Sequence, residues 1–163
     1  MTLRLFLRAS ALLWGITLVA ALAVVVIPGA GPAAREAFGF RLDATERGSL
    51  SDAASYFTTN VRVLAAILLA GWARSRTVHL APLLDALVGT VILVNAAVVG
   101  TALGAYGMPT VRWLLHLPLE WAAFALGLAA YSARWKGQRS LGPAFITVPA
   151  LGLASVVESY AAP

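Results

Sequence analysis

The sequence predicts an all-α membrane protein: one integral membrane domain over residues 1–163, built as a polytopic bundle of about five transmembrane helices. Three observations predict this fold class. Sixty percent of the residues are hydrophobic and only 12% are charged, whereas a soluble domain is about half apolar and about a quarter charged. The mean hydropathy is +0.83. The apolar residues form five long runs, each near the length of about 20 residues that a helix needs to cross a bilayer.

The composition also excludes several classes of protein. So much apolar sequence and so little charge exclude a disordered chain, a nucleic-acid-binding domain and an ordinary soluble enzyme. The net charge of +5 does not indicate nucleic acid, because the basic residues lie at the ends of apolar runs. The chain has no cysteine, which excludes disulfides, thiolate nucleophiles and cysteine-bound metals. We expect no metal and no cofactor.

The predicted spans lie near residues 5–27, 53–73, 84–106, 112–133 and 140–158. The first follows Arg4 and Arg8, and its apolar run is longer than the roughly 7–15 residues of a signal peptide, so we interpret it as a retained helix. The second and fifth runs are marginal in length. The fifth departs most from a regular span, because it contains Pro143 and Pro149.

Basic residues predict the orientation of the chain. With a cytoplasmic N-terminus, the short inner segments hold Arg4, Arg8, Arg74, Arg76, Arg134, Lys136 and Arg139. The outer loop, residues 28–52, mixes basic and acidic side chains: Arg35, Glu36, Arg41, Asp43, Glu46, Arg47 and Asp52. Because basic residues concentrate on the cytoplasmic side, we expect the N-terminus inside and the C-terminus outside. The loop is too short for a second domain and suits a surface loop or an interfacial helix. The expected location is the bacterial cytoplasmic membrane.

Four polar residues lie within the second and fourth predicted spans: Asn60, Arg62, His116 and Glu120. Ionisable groups inside a membrane are costly and are functional by default. The two spans run in the same direction, which places the two pairs at similar depths. His116 and Glu120 are four residues apart and share a helix face. An Arg62–Glu120 pair would remove two isolated charges from lipid.

The spacing of these residues and a nearby proline limit which side chains can meet. Asn60 and Arg62 are two residues apart and point in different directions, so only one of them is expected to face the His116–Glu120 pair squarely. Pro118 lies between His116 and Glu120 and predicts a local kink. Three further polar residues are candidates for substrate binding or for a structural role: Tyr56, Thr59 and Asn95.

Small residues recur at four-residue spacing on two of the predicted spans. The third span carries Ala96, Gly100 and Gly104, and the fourth carries Ala123 and Gly127. Such small-xxx-small patterns allow two helices to approach closely. They predict tight packing between the third and fourth spans.

The same residues resemble the stage II sporulation protein M family. The segment Phe57-x-x-Asn60-x-Arg62-Val63 looks like the start of its first conserved block, and Asn95-x4-Gly100-x3-Gly104 looks like its asparagine–glycine helix. His116-x3-Glu120, followed by an alanine-rich stretch to Gly127, looks like its histidine–glutamate helix. The resemblance covers Tyr56 to Arg134. The chain departs from it at Ala96 and Leu117, where family members usually have glycine.

The resemblance implies two settings for the protein. The founding members belong to a membrane complex for envelope remodelling during spore engulfment. Small stand-alone members are similar to membrane proteins encoded beside ribosomally made, modified peptides. The expected partners are therefore the lipid bilayer, a peptide substrate and a membrane or peripheral protein. A homo-oligomer is also consistent with a chain this small.

Three functions are compatible with the polar group. In the first, a membrane-embedded enzyme or maturation factor uses His116 and Glu120 to exchange protons, while Arg62 and Asn60 polarise a substrate carbonyl. That set suits cofactor-independent epimerisation in a peptide, in which a proton beside a carbonyl is removed and returned. In the second, the polar residues join helices in a non-enzymatic scaffold or export partner of an envelope-remodelling or peptide-secretion complex. The third is proton-coupled transport.

Overall fold

The computed structural model describes residues 3–39, 49–135 and 142–161, and this part of the chain is helical with no strand. The helices are α1 (Leu3–Val26), α2 (Ala30–Phe38), α3 (Leu50–Arg74), α4 (Ala81–Tyr106), α5 (Met108–Trp113), α6 (Leu117–Trp135) and α7 (Gly142–Ala161). A short 3-10 turn, Val78–Leu80, precedes α4. The all-α class predicted from composition and from the five apolar runs is confirmed.

Within the described residues, three helical segments are long and apolar enough to cross a membrane. These are α1, α3 and the continuous stretch Val78–Tyr106 that ends in α4. A shorter apolar stretch, Ile146–Tyr160, lies within α7. These lengths and compositions indicate an integral membrane protein. The count of five spans and the orientation with the N-terminus inside stay predictions.

The fourth predicted span is divided into two helices rather than kinked. Helix α5 ends at Trp113, and α6 begins at Leu117 with Pro118 in its first turn. Proline has no N–H to donate and is tolerated in the first turn of a helix, where that group would have no partner. The carbonyl of His116 accepts the N–H groups of Leu119 (3.0 Å) and Glu120 (3.1 Å). Pro118 therefore marks a helix start.

Helix α6 lies at the centre of the bundle. It packs against α1, α3 and α7, and it buries side chains on every face, including Trp121, Phe124 and Tyr131. The indole Nε1 of Trp121 donates to Thr17 Oγ1 (3.2 Å), which in turn donates to the Leu13 carbonyl (2.9 Å). This chain of bonds joins α6 to α1 in the interior of the bundle.

The small residues allow close packing, but with partners other than those predicted. A Cβ at Gly100 would overlap the carbonyl oxygen of Thr17, and one at Gly104 would overlap that of Ala21, so both glycines face α1. A Cβ at Gly127 would lie 2.6 Å from Leu64 Cδ1 of α3.

The predicted tight packing between the third and fourth spans is therefore wrong. Ala96 and Ala123 are both fully buried. However, α4 packs mainly on α1, whereas α6 packs on α1, α3 and α7. A cavity lies between α4 and α6, and residues of both helices line it.

The predicted outer loop, residues 28–52, contains helix α2 and the first turn of α3. Arg35 Nη1 of α2 donates to the Ala105 carbonyl (2.6 Å), and the Tyr106 hydroxyl donates to the Arg35 carbonyl (3.3 Å), which docks α2 on the end of α4. A capping box between Ser49 and Asp52 starts α3. Six charged residues used for the orientation lie outside the described residues: Arg41, Asp43, Glu46, Arg47, Lys136 and Arg139. The first two positions of the fifth predicted span, residues 140 and 141, also lie outside them.

Candidate functional site

Five helices, α3 to α7, bring polar side chains together at one end of the bundle. The first half of α3, the short helix α5, the start of α6, and the final halves of α4 and α7 meet there around a cavity of about 440 Å³. We call this the cavity end. Its polar lining includes Tyr56, Asn60, Asn95, Thr110, His116 and Glu120. The walls between these groups are largely apolar.

His116 and Glu120 form the first contact of the site. His116 lies in the turn before α6 and Glu120 in its first turn, with 3.7 Å between Nε2 of the imidazole and Oε2 of the carboxylate. The two side chains are only 7% and 11% exposed. The helix start described above therefore aims both groups into the interior of the bundle.

Asn60 is the residue of α3 that reaches Glu120. Its amide Nδ2 donates to Oε1 of the Glu120 carboxylate, which holds that carboxylate in place. Two residues correspond to a rotation of about 200° around a helix. Arg62 therefore lies on the opposite, exposed face of α3 and does not line the cavity. Among the described residues the structure records no Arg62–Glu120 pair, so that expectation is wrong.

Glu158 is a member of the site that the sequence interpretation missed. Its Oε2 lies 3.9 Å from His116 Nε2, and its side chain is 24% exposed. The imidazole therefore has a carboxylate from α6 and another from α7 within 4 Å. The available signal was one acidic residue in the last apolar run, but the predicted span ended at that position, which made Glu158 look like a boundary residue.

The three remaining polar candidates divide between the cavity and the surface. Tyr56 and Asn95 line the cavity, and Asn95 Nδ2 also donates to the Val91 carbonyl of its own helix (2.7 Å). Thr59 is exposed and is not part of the lining. Its neighbour Thr58 donates to the Ala54 carbonyl (2.7 Å), a bond within α3. Thr59 therefore lies outside the site.

Thr110 is a second member that the sequence interpretation missed. It belongs to α5, which follows a turn at Gly107 with φ 66, and it lines the cavity while being only 7% exposed. Its Oγ1 is enclosed and has no hydrogen-bond partner within the described part of the chain. Buried hydroxyl groups are normally hydrogen-bonded. Thr110 lies between the third and fourth predicted spans, so it was not among the polar residues expected inside the membrane.

A separate polar cluster lies at the opposite end of the bundle, where α3 finishes and α4 begins. Arg74 donates from Nε to Asp85 Oδ1 (2.6 Å) and from Nη2 to Oδ2 (2.8 Å). The hydroxyl of Tyr131 also donates to Oδ1 of Asp85. We call this the Asp85 end. A bidentate ion pair joins α3 to α4 there, and the hydrogen bond from Tyr131 adds α6. The sequence interpretation did not predict this cluster.

The chemistry available at the cavity end is proton transfer. One nitrogen of an imidazole lies within 4 Å of two carboxylates at the wall of a cavity, and both kinds of group serve as general acids and bases. No group of three or more potential ligand residues in the described segments has an arrangement suited to a metal ion.

No model of a known protein family, no curated protein and no solved structure matches this chain. The resemblance to the stage II sporulation protein M family therefore rests on three short motifs and stays an expectation. A function has to be argued from the geometry of the site.

Proposed function

We propose that this protein is a membrane-embedded acid/base catalyst that removes and returns a proton beside a carbonyl group of a peptide substrate, as in cofactor-independent epimerisation. The observation that carries the proposal is the placement of His116 Nε2, which lies 3.7 Å from Glu120 and 3.9 Å from Glu158 at the wall of the cavity. Imidazole and carboxylate are the side chains that most often transfer protons in enzymes.

The size of the cavity supports a small reacting group. Small-molecule sites have volumes of about 300–1,000 Å³, and this cavity has a volume of about 440 Å³. That space suits one amino-acid residue with its flanking amides. The choice of a peptide over another carbonyl compound comes from the family resemblance and is part of the proposal.

The proposed reaction needs no oxidant, reductant or metal. Glu120, oriented by the amide of Asn60, takes the proton from the Cα of the substrate. The electron pair of the C–H bond moves into the adjacent carbonyl, and negative charge develops on its oxygen. The hydroxyl of Thr110 is the uncommitted donor at the cavity wall that would stabilise this charge. His116, present as the imidazolium, gives a proton to the carbon and becomes a neutral imidazole, and delivery to the opposite face inverts the centre. The proton on Glu120 then passes to this imidazole, 3.7 Å away, which restores the starting state of the site.

Deuterium exchange tests the proposal directly. The full chain in lipid nanodiscs would be incubated in D₂O with a library of apolar all-L peptides. Mass spectrometry would then detect deuterium at Cα, and chiral analysis of hydrolysates would detect D residues. We expect both signals from the unmodified chain, and neither from Glu120→Gln nor from His116→Ala.

Glu36→Gln is the matched control, because Glu36 is an exposed carboxylate on α2 and lies away from the cavity lining. It should exchange like the unmodified chain. Full exchange by a folded Glu120→Gln protein would contradict the assignment of the base. Absence of exchange for every peptide would contradict the reaction itself.

The two alternative functions have different signatures. A scaffold would show no exchange, and the Glu120 and His116 variants would lose partner binding or abundance. Proton-coupled transport would show flux in liposomes under an imposed pH gradient, without any change in the chirality of a peptide. Each result separates one alternative from the catalytic proposal.

A further inference from the structure

We infer that the cavity binds its substrate through a primary ammonium group, of the kind carried by a lysine side chain or by the free N-terminus of a peptide. This inference names the substrate class of the site proposed above and takes its catalytic meaning from that proposal. The binding itself can be measured without any turnover.

The first observation is an imbalance of charge around the cavity. Glu120 and Glu158 both line it, and none of its described lining residues is a lysine or an arginine. The other titratable side chains facing it are His116 and Tyr56. Arg62 is exposed on the other face of α3. Buried carboxylates are normally paired with a cation or heavily hydrogen-bonded, so a cationic ligand would supply the missing charge.

The second observation concerns the two asparagines of the cavity wall. The amide nitrogen of Asn60 is directed to Glu120, and that of Asn95 is directed to the Val91 carbonyl. Each amide nitrogen has two N–H donors, one of which bonds an acceptor within the protein, and the amide oxygens are the acceptors that the two side chains can offer a ligand. Together with the carboxylates, these oxygens make the cavity rich in acceptors. A primary ammonium group has three donors and no acceptor.

The third observation is independent of the carboxylates. Thr110 is 7% exposed, lines the same cavity and has an enclosed Oγ1 with no hydrogen-bond partner among the residues that the structure describes. A buried hydroxyl in this state indicates a missing polar partner. A bound substrate, with its ammonium donors and its carbonyl acceptors, provides one.

Aromatic rings complete the wall. Tyr56, Trp121 and Phe124 line the cavity, and the rings of Trp121 and Phe124 meet edge to face with centroids 6.1 Å apart. The faces of aromatic rings attract ammonium groups through the ring quadrupole. An apolar wall of this kind also accommodates the methylene stem that carries an ammonium group.

Binding of a small probe tests the inference. Isothermal titration calorimetry on the nanodisc-embedded chain, with empty nanodiscs as the blank, would compare n-butylammonium with 1-butanol, a neutral probe of similar size. We expect saturable binding of n-butylammonium and binding of 1-butanol that is at least about tenfold weaker, because only the cation pairs with the carboxylates. Equal binding of the two probes would overturn the inference.

Variants then identify the carboxylate responsible. Glu158→Gln should weaken n-butylammonium binding about tenfold, whereas the exposed control Glu36→Gln should leave it unchanged. Circular dichroism and size-exclusion chromatography would establish that both variants fold. If Glu158→Gln does not fold, the comparison of probes on the unmodified chain still decides the question. Unchanged affinity in a folded Glu158→Gln protein would contradict the inference.

Three peptides distinguish the two sources of the ammonium group. The first has a free N-terminus and no lysine, the second is N-acetylated with one lysine, and the third is N-acetylated without lysine. We expect one of the first two to bind and the third not to bind. Binding of the third peptide as tightly as the other two would overturn the inference.

The inference and the proposed function can fail separately. Glu158-dependent binding of n-butylammonium without deuterium exchange at any peptide would leave a cation site and contradict the catalytic proposal. Deuterium exchange in peptides with no dependence on an ammonium group would support the catalytic proposal and contradict the ammonium site.

Discussion

A carboxylate has different partners at the two ends of the bundle. At the Asp85 end, Asp85 accepts two hydrogen bonds from Arg74 and one from Tyr131, so its charge is matched by a guanidinium. At the cavity end, Glu120 accepts one hydrogen bond, from the amide of Asn60. Its ionisable neighbour is the imidazole of His116, which also lies close to the carboxylate of Glu158. The carboxylate at the Asp85 end is paired with an arginine, whereas no arginine or lysine is among the described residues that line the cavity.

The difference indicates separate roles for the two clusters. A bidentate arginine–carboxylate pair satisfies both carboxylate oxygens and fixes the geometry of the helices that carry it. None of its three members lines the cavity. An acidic group that retains unmatched charge beside a cavity is a typical arrangement at functional sites. We therefore expect changes at the Asp85 end to affect stability and changes at the cavity end to affect activity.

The largest expected effect is on activity, from Glu120→Gln. Loss of a general base lowers the rate by about 10²–10⁴-fold, and the glutamine retains the shape of the side chain, so the protein should still insert and fold. Deuterium exchange at Cα measures the rate, and membrane abundance measures the folding. A variant that lost membrane abundance but kept deuterium exchange would show that Glu120, like Asp85, contributes to stability and is not the catalytic base.

The next effect is on stability, from Gly100→Ala at the contact between α1 and α4, outside both polar clusters. The added Cβ would overlap the Thr17 carbonyl of α1, and overpacking of this kind costs about 1–3 kcal/mol. Gly89→Ala on the same helix is the matched control, because a Cβ there meets nothing within 4 Å. Thermal unfolding in detergent compares the two. Equal midpoints would show that α1 and α4 do not need their close approach.

A moderate effect is expected from Asp85→Asn. The neutral amide loses the charge-assisted bonds to Arg74, and we expect the unfolding midpoint to fall by about 2–6 °C. The side chain of Asp85 is 38% exposed, which limits the loss because water can solvate the remaining groups. Deuterium exchange by the folded variant should stay within about twofold of the unmodified rate. A loss of exchange without a loss of stability would show that the two ends are coupled.

The smallest expected effect comes from Arg62→Gln, compared with Asn60→Ala two residues away. Asn60→Ala removes the only side chain of α3 recorded as a donor to Glu120 among the described residues, and we expect exchange to fall about tenfold. Arg62 is exposed, so its variant should stay within about twofold. The reverse order would restore the pairing of Arg62 with Glu120 that the sequence predicted.

The all-helical class was predictable because composition and the length of the apolar runs suffice for it. An apolar run near the span length forms a helix in lipid, where every backbone polar group must be bonded within its own segment. His116 and Glu120 were predictable for a similarly local reason, because a spacing of four residues places two side chains on one helix face. The structure has a helix start at Leu117, with Pro118 in the first turn, in place of the predicted kink. A proline indicates that a helix is interrupted, but not whether the helix kinks or a new one begins.

The partners of each helix face were not predictable. Gly100 and Gly127 carry the same small-residue signal, yet one packs against α1 and the other against α3, because a small residue permits close approach to any neighbour. The choice between Asn60 and Arg62 was open in the same way. Their opposite directions on α3 follow from the helical repeat, but only the position of α6 decides which direction faces Glu120.

By itself, the sequence determined the helical membrane class, the spacing that pairs His116 with Glu120 and the shortage of charge that makes each buried ionisable group informative. The tertiary structure decided which groups share the cavity. It brought the end of α7 back beside the start of α6, which added Glu158 to the imidazole, and it turned Arg62 outward. The physical reason is that helix periodicity acts within a segment, whereas a site with members from α3, α4, α5, α6 and α7 depends on how whole helices pack against one another.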